Sequence, residues 1–432
     1  MSDYMFMLEN HLSSEQNRVV AELQVAASNA GVNLFLAGGA MRDVLGGFQV
    51  RDLDFSLEGN ALKLARSLAE SPGVRTLSVD ELRRSVELVF PGGVTAQLAM
   101  SRVERYTKSG ARPQVTQATI QEDLRGRDFS VNAIALSLNR ASRGLLLDPT
   151  NGLADLERRE LRTLSPYAFY DDPSRLLRLV RLRARLGFTV EERTRTQYQN
   201  ARAAEAQKNI PPRLLFEELR QIAEEPSPAE VLKALDADGL LAAISPALAG
   251  ARLNLPALTR LEKASRVLPE AEGTRVEHLG PFLHALTEKL TPREKAELIR
   301  HTEMSRAEVD VWQKLEPRAR KLESALKSAR VRKPSQVYQI LSKAPGDEVC
   351  FVLYRSTYKP VQERVRNYFQ KYLPLAQELS KTDLALAAAR SEKARQELLA
   401  AHLDRRVRKP APVVPPPPPL EVAGPRRGRM NG

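Results

Sequence analysis

The stretch VNLFLAGGAMRDVLGGFQVRDLDFSL, residues 32–57, decides the fold of the N-terminal part of the chain. A short apolar run ends at a Gly-Gly turn, a helical segment follows, and apolar and polar residues then alternate. Alternation is typical of a β-strand, in which residues i and i+2 point to the same face. Asp52 and Asp54 are therefore predicted side by side on one face of a strand, with Leu53 and Phe55 on the other.

Two carboxylates this close repel each other unless a cation lies between them. Mg²⁺ prefers oxygen ligands and is usually held by one or two carboxylates plus substrate phosphates. Upstream, Gly38 and Gly39 stand where a buried strand ends and a helix begins, a place where a phosphate can approach backbone amides. A phosphate site followed by a carboxylate pair is typical of two-metal phosphoryl or nucleotidyl transfer. Taken singly, the aspartate pair is better explained as two solvated side chains and the Gly-Gly as a plain turn; it is their combination that favours the functional interpretation.

The composition points to a globular protein with an anionic partner. The chain has 432 residues, enough for two to four domains, and a formal net charge of +13. Such a surplus favours nucleic acid as a partner, although it also serves solubility. Residues 405–432 alone contribute +6; they are rich in proline and arginine and are predicted to be disordered.

Several classes of protein are disfavoured. Cys350 is the single cysteine, so neither an intramolecular disulfide nor a thiolate metal cluster is possible. No apolar run reaches the ~20 residues of a membrane helix, and the N-terminus lacks the pattern of a secretory signal. We therefore expect a cytoplasmic protein with no membrane association.

Secondary-structure patterns divide the chain near residue 145. Helices are predicted at residues 10–30, 61–70 and 128–138, a buried strand at 32–37, and a hairpin at 86–100 around Pro91-Gly92-Gly93. After about residue 156 the strand signals fade, and helical patterns continue to about residue 403.

Five motifs, in order, resemble those of the class II tRNA nucleotidyltransferases and bacterial poly(A) polymerases. The first is the Gly-Gly turn with the aspartate pair, and the others follow it over residues 126–222. In sequence they are GGAMRDVLGGFQVRDLDF (38–55), GRDFSVNAIAL (126–136), DPTNGLADLERRELR (148–162), DDPSRLLRLVRLRARLGF (171–188) and PPRLLFEELRQI (211–222).

The resemblance implies an α+β fold class with four parts. Residues 1–145 would be a nucleotidyltransferase head with a mixed β-sheet and helices, and residues 146–212 a helical neck that carries the base-selecting motif. Residues 213–403 would be a helical, RNA-binding body and tail, followed by the disordered segment 404–432. The implied activity is template-independent addition of CMP and/or AMP from CTP and ATP to the 3′ end of tRNA. The motifs do not distinguish complete CCA addition from CC or A addition.

The resemblance also implies roles for the residues of the turn and the strand. Asp52 and Asp54 would hold two Mg²⁺ ions and are the catalytic pair. Gly38, Gly39 and Arg42 would contact the triphosphate of the incoming nucleotide. Asp43 would orient Arg42, although a capping role near the helix terminus is an alternative.

Other nucleotide-binding roles fall on three later motifs. Arg127 and Asp128 would contact the ribose and phosphates, with Asn132 beside them or in a packing role. Asp172 and Arg175 would hydrogen-bond the edge of the base and so replace a nucleic-acid template. Helix capping is an alternative for this segment, in which Asp171 is the aspartate expected to lie off the base.

Arginines recur along the helix that follows at positions 175, 178, 181 and 185. Their spacing places them on one helical face, where they would bind triphosphate or RNA backbone, and Arg178 is assigned to the nucleotide. A solvated face is the alternative. Residues 100–115 resemble a flexible segment that helps related enzymes change from C to A addition, although a plain surface loop fits equally well.

The chain departs from the family pattern at three positions. Gly126 replaces an arginine, Gln97 replaces an acid that would be a third carboxylate near the metals, and Asn151 replaces a glycine. Two other functions therefore remain: a poly(A) polymerase that adds long A tails, and an RNA-binding protein without activity. Protein partners are not predicted.

Overall fold

A computed structural model describes residues 3–268, 277–379 and 391–406. The first part of the chain forms a mixed β-sheet covered by helices, and the remainder is mostly helical. This is the predicted α+β class. No helix among the described residues is long and apolar enough to cross a membrane. The predicted disordered segment lies outside the described residues from position 407 onward.

Seven strands form the main sheet, in the order β3-β4-β5-β2-β1-β8-β9. The central strands β2 and β5 are parallel, whereas the other neighbours in this sheet are antiparallel. The strands of the chain are β1 (Asn33–Ala37), β2 (Leu53–Glu58), β3 (Arg75–Asp80), β4 (Ser85–Val89), β5 (Thr95–Met100), β6 (Arg102–Arg105), β7 (Gln114–Gln117), β8 (Ala135–Ser137), β9 (Leu146–Leu147), β10 (Glu160–Leu161) and β11 (Thr189–Val190).

The following helices begin before residue 212. They are α1 (Asp3–His11), α2 (Ser14–Ala30), α3 (Gly38–Gly46), α4 (Ala61–Ala69), α5 (Ile120–Arg125), α6 (Gly152–Arg158), α7 (Ala168–Asp171), α8 (Arg175–Leu186) and α9 (Glu192–Ala203).

Helices after residue 211 make up most of the remainder. They are α10 (Pro212–Ala223), α11 (Pro228–Ala237), α12 (Leu241–Ile244), α13 (Leu255–Ser265), α14 (Leu279–Leu286), α15 (Pro292–His301), α16 (Arg306–Gln313), α17 (Leu315–Lys327), α18 (Pro334–Leu341), α19 (Gly346–Arg355), α20 (Lys359–Asn367), α21 (Leu373–Gln377) and α22 (Glu392–Arg406).

The alternation that opened the sequence analysis is confirmed. Leu53 and Phe55 are buried in the main core of the sheet, together with apolar residues of the first four helices. Asp54 points away from that core, and Asp52 immediately precedes β2. The predicted helix at 10–30, the strand at 32–37 and the hairpin at 86–100 are present as α2, β1 and the β4–β5 pair.

The helix predicted at residues 128–138 is wrong. A single 3-10 turn at Ser130–Asn132 is followed by strand β8, which pairs with β1. The apolar run from residue 133 to 136 is completely buried in the sheet region, so tertiary burial overrides the local helical pattern. The expectation of an all-helical neck also needs a small correction, since β10 and β11 form a parallel pair there.

Residues 100–115 are not a plain loop. They form most of a two-stranded antiparallel hairpin, β6 with β7, which is separate from the main sheet. At its tip Gly110 has φ +67°, and a Cβ there would lie 2.0 Å from the backbone oxygen of Asn209. The hairpin tip therefore packs closely against the short 3-10 turn at Ala206–Asn209.

The chain divides into two compact units. Unit 1 comprises residues 1–325 and 344–362, and unit 2 comprises residues 326–343 and the chain from 363 onward. The boundaries expected at residues 145 and 212 both fall inside unit 1 and remain predictions. In unit 2, Ser335 of α18 donates through its backbone amide and its hydroxyl to Asp404 of α22, at 3.1 and 3.0 Å.

Candidate active site

The turn from β1 into α3 brings two glycines against the aspartate pair. Gly38 has φ +67°, and a Cβ there would be 2.7 Å from Arg127 Nη1 and 3.4 Å from Asp54 Oδ2. A Cβ on Gly39 would be 3.1 Å from the same Asp54 oxygen. Glycine is therefore required at Gly38 by its backbone conformation, and both glycines leave space beside the carboxylate.

The two aspartates differ in environment. Asp54 accepts a hydrogen bond from the backbone amide of Ala40 at 3.3 Å, whereas Asp52 is exposed and accepts one from the Thr95 hydroxyl. Burial, followed by the negative charge of Asp52, raises the pKa of Asp54 to about 6. A bound cation would offset both effects, so this pair has the electrostatics of a metal-binding site.

Gln97 lies where the sequence comparison with the family placed it. In the parallel pairing of β2 with β5, Gln97 is the partner of Asp54. Its amide oxygen is neutral, so as a ligand to a metal ion it would balance less positive charge than the carboxylate of the family pattern. Within the described residues, no group of three or more His, Cys, Asp or Glu side chains is arranged to hold a metal ion.

Arg42 is buried at the start of α3 and is held by two neighbours. Its Nε donates to Asp43 Oδ1 at 2.8 Å, and its Nη1 donates to Asn132 Oδ1 at 2.8 Å. Asp43 thus makes the contact that an orienting role requires. Asn132 lies in a 3-10 turn rather than in the predicted helix, and its Nδ2 donates to Asp128 Oδ1 at 3.0 Å.

Arg127 and Asp128 extend this polar layer. Arg127 Nη2 donates to Ser56 Oγ at 2.8 Å and forms an ion pair with Asp123 at 2.9 Å. Burial alone would raise the pKa of Asp128, but the positive charges of Arg178 and Arg175 hold that pKa well below its usual range. Asp128 is therefore ionised and firmly positioned.

The predicted base-selecting pair lies at the N-terminus of α8. Asp172 Oδ1 accepts from the backbone amide and the hydroxyl of Ser174 at 3.1 and 2.6 Å, so the capping alternative is also realised. Asp172 Oδ2 lies 3.9 Å from Arg175 Nε. In the described part of the chain, this buried Nε has no hydrogen-bond partner. A buried donor of this kind is costly unless a ligand supplies its acceptor.

Three further arginines of α8, at positions 178, 181 and 185, form ion pairs with carboxylates of the same unit. Arg178 Nε is 3.1 Å from Glu218 Oε1, and Arg181 Nε is 3.0 Å from Glu218 Oε2. Arg181 also lies 3.0 Å from Glu225, and Arg185 lies 3.7 Å from it. The arginine stripe is therefore first a link between α8 and the α10 region, and the binding role of Arg178 remains a prediction.

Ion pairs also connect this region to the two elements that carry the aspartate pair and the glycine turn. Arg185 Nη2 is 2.6 Å from Asp43 Oδ2. Arg51, which directly precedes Asp52, lies 3.6 Å from Glu225 Oε2. Burial and the nearby charges of Arg42 and Arg51 lower the pKa of Arg185 to about 10. The guanidinium groups lie close together here, and the carboxylates offset the repulsion between them.

Sequence reasoning missed Glu218 and Glu225, although a signal existed. Glu218 lies on α10 within the motif at residues 211–222, which was the available signal, whereas Glu225 lies beyond both the motif and the helix. Glu104 was also missed; it accepts from Arg83, Arg102 and Tyr106 at 3.0, 2.8 and 2.6 Å.

All twelve site residues predicted from the sequence line one cavity of about 1190 Å³ in unit 1. They come from the glycine turn, the aspartate pair, the segment 127–132 and the start of α8. The acidic residues that line the cavity outnumber its arginines by three. An acidic cavity repels a triphosphate, and two divalent cations would reverse that balance. The residues present therefore fit a divalent metal at the aspartate pair.

The sequence profile of the family described as "Poly A polymerase head domain" matches residues 34–162. That part of the chain is similar to this domain. The matched residues contain the glycine turn, the aspartate pair and the segment 127–132, so nine of the twelve predicted site residues lie within them. The other three, together with Glu218 and Glu225, lie C-terminal to residue 162.

Curated relatives are similar to this chain over about half of its length. An A-adding tRNA nucleotidyltransferase of Geobacter sulfurreducens is 30% identical over 257 residues, which is 60% of this chain and 29% of that protein. A CC-adding tRNA nucleotidyltransferase of Deinococcus radiodurans is 37% identical over 206 residues, 48% of this chain and 54% of that protein. The chain thus spans about half the length of these relatives or less.

A solved structure described as "The structure of CCA-adding enzyme apo form II" has the same fold. The TM-score is 0.53, at 23% identity, and the similarity covers 93% of this chain and 94% of that one. The fold is therefore shared along nearly the whole chain.

Proposed function

We propose that this protein is a template-independent nucleotidyltransferase that adds AMP and/or CMP to the 3′ end of tRNA. ATP and CTP are the donors, and pyrophosphate is released. One observation carries the proposal: residues from four separate stretches, each assigned to this reaction from the sequence, line a single cavity. The names of the relatives support tRNA as the acceptor.

Asp52 and Asp54 would hold Mg²⁺, which would neutralise the triphosphate and activate the RNA 3′-hydroxyl. The glycine turn leaves room for phosphate oxygens next to Asp54. In the reaction the RNA 3′-oxygen bonds to the α-phosphorus while the bond from that phosphorus to the bridging oxygen breaks. Arg42 and Arg127, fixed by Asp43 and Asp123, provide positive charge beside the departing phosphates.

Asp172 and Arg175 support base selection by the protein itself. A carboxylate accepts from the exocyclic amine that ATP and CTP carry, whereas GTP and UTP present a carbonyl oxygen at that position. Arg175 donates to the acceptors of the ring, and its unpartnered Nε is available for this. Both side chains are nearly buried, so a mismatched base would leave polar groups unsatisfied.

The experiment uses the purified protein, Mg²⁺ and two tRNAs, one lacking CCA and one ending in CC. Each tRNA receives CTP, ATP or both, and products are resolved at single-nucleotide length. Three added nucleotides identify CCA addition, a stop after two cytidines identifies CC addition, and one A on the CC-ending tRNA alone identifies A addition. Asp52→Ala and Asp54→Ala are expected to abolish every one of these products.

Two outcomes would replace the proposal. A long A ladder on either tRNA would identify a poly(A) polymerase. No extension and no pyrophosphate release would favour an RNA-binding protein without activity. The proposal extends to the cytoplasm as the location of the enzyme.

A further inference from the structure

The β6–β7 hairpin carries three cationic side chains that have no acidic partner. Arg105, Lys108 and Arg112 are exposed, and within the described residues their side chains make no hydrogen bond or ion pair. The acid of the hairpin, Glu104, is already occupied by Arg83 and Arg102. The hairpin therefore presents uncompensated positive charge to solvent.

This differs from the arginines of the cavity. Twelve arginines line it, and eleven of them lie within 4 Å of a carboxylate of the described chain. Arg112 is the remaining one, and it stands on the hairpin. The other arginines of the cavity thus each have a carboxylate partner. The three cations on the hairpin have none within the described part of the chain and remain available for a phosphate.

The hairpin is held in place at both ends. Near its base, Glu104 links β6 to Arg83 in the turn between β3 and β4. At its tip, Gly110 packs against Asn209, and Asn209 Nδ2 donates to Ser109 Oγ at 3.4 Å. Cations on a fixed support lose less conformational entropy on binding than cations on a mobile loop.

The placement of the three cations distinguishes a polymer from a nucleotide. Arg112 lines the cavity, whereas Arg105 and Lys108 lie on the same hairpin but outside the cavity lining. A triphosphate bound at the glycine turn is confined to the cavity. A strand of RNA whose 3′ end enters the cavity has phosphates both inside and outside it.

We propose that Arg105, Lys108 and Arg112 bind the phosphate backbone of the acceptor RNA just before its 3′ end. This inference rests on the proposed function for the identity of the RNA. Contacts to phosphates position a nucleic acid without reading its sequence. The hairpin would thus guide the RNA strand to the aspartate pair while Asp172 and Arg175 select the nucleotide.

The test is the salt dependence of binding to a tRNA that lacks CCA, measured without nucleotide by filter binding or anisotropy. Each phosphate contact in a single strand contributes about 0.7 to the slope of log Kd against log salt. The triple variant Arg105→Gln, Lys108→Gln, Arg112→Gln is expected to reduce that slope by about 2. Its affinity at low salt should fall about tenfold or more, with KM for ATP and CTP unchanged.

The matched control is Lys63→Gln with Arg66→Gln, two exposed cations of α4 that do not line the cavity. This control variant should show the same salt slope as the wild-type protein. An unchanged slope in the hairpin variant, with an unchanged thermal midpoint, would overturn the inference. A rise in KM for the nucleotides without a change in RNA binding would also overturn it, since the hairpin would then bind the triphosphate.

The result can be separated from the fate of the proposed function. The wild-type protein could extend no RNA while the hairpin variant still shows a weaker RNA affinity and a smaller salt slope. The proposed activity would then be wrong, and the RNA-binding role of the hairpin would be supported. If the wild-type protein extends tRNA and the hairpin variant binds it equally well, the activity stands and the binding surface fails.

Discussion

Arg185 Nη2 lies 2.6 Å from Asp43 Oδ2, and this ion pair joins α8 to α3 across 142 residues of sequence. The same Asp43 fixes Arg42 beside the glycine turn. One carboxylate thus connects α8, which begins at Arg175 of the proposed base-selecting pair, to α3, which follows the glycine turn. The two parts of the proposed nucleotide site are held in one geometry by charges that are themselves buried.

Asp43→Asn is expected to destabilise the protein by about 3 kcal/mol, because it leaves the buried Arg42 without a charged partner and Arg185 with Glu225 alone, at 3.7 Å. Urea unfolding followed by circular dichroism measures this as a lower midpoint. Glu9→Gln is the matched control, since its pair with Arg143 is exposed and should contribute less than about 1 kcal/mol. Equal midpoints for the two variants would contradict a structural role for Asp43.

Asp54→Asn should abolish transfer and yet stabilise the metal-free protein. The pKa of Asp54 is raised from 3.8 to about 6, so its ionisation opposes folding. The penalty is absent below pH 4 and complete above about pH 6, and it amounts to at most about 3 kcal/mol. Thermal unfolding in EDTA at pH 8 should therefore show a higher midpoint for the variant than for the wild type.

Asp52→Asn serves as the comparison for that prediction. Asp52 is exposed, so its replacement should remove activity without the same gain in stability. Mg²⁺ should raise the midpoint of the wild-type protein more than that of either variant. A metal-free Asp54→Asn protein that melts below the wild type would show that the buried charge is compensated by other groups.

Asp172→Asn should weaken discrimination between nucleotides. The new amide keeps an acceptor for Ser174 but presents a donor where the base amine is expected, so ATP and CTP lose their advantage over GTP and UTP. The ratio of kcat/KM values should fall about tenfold or more. Single-turnover incorporation with each of the four nucleotides measures it, and Asp171→Asn is the control that should leave the ratio intact.

Glu104 should stabilise the hairpin in a pH-dependent manner. Burial opposes its ionisation, but Arg83 and Arg102 prevail and lower its pKa from 4.5 to about 2. Because the folded-state value is the lower one, the contribution is complete above pH 4.5 and is lost as the pH falls towards 2. Glu104→Gln should thus be less stable than the wild type at pH 6, by at most about 3 kcal/mol. The difference in urea midpoint should shrink towards pH 3; a constant difference would exclude ionisation of Glu104 as its cause.

The sequence was sufficient for the part of the fold that depends on local patterns. The alternation around Leu53 and Phe55 predicted β2 and its two faces, and glycine and proline marked the β4–β5 hairpin correctly. The motifs named residues that all line one cavity. Local spacing carries this information because the turn, the strand and the start of α8 each hold their side chains on a short piece of chain.

What the sequence did not predict depends on distant partners. Residues 135–137 became the buried strand β8 rather than part of a helix because β1 and β9 flank them. The arginines of α8 looked like a phosphate-binding face, since nothing near them in sequence revealed that Glu218 and Glu225 neutralise them. Charge on a helix can be assigned to a ligand only when its partners in the fold are known.

The interleaved course of the chain between the two units determines where it can be shortened. Residues 344–362 return to unit 1 after the chain has contributed residues 326–343 to unit 2, and their helix α19 packs against α13 and α14. Cys350, Phe351 and Val352 of that helix are buried. A protein truncated after residue 325 would therefore expose an apolar surface of unit 1 and tend to aggregate, whereas truncation after residue 362 retains every segment of that unit.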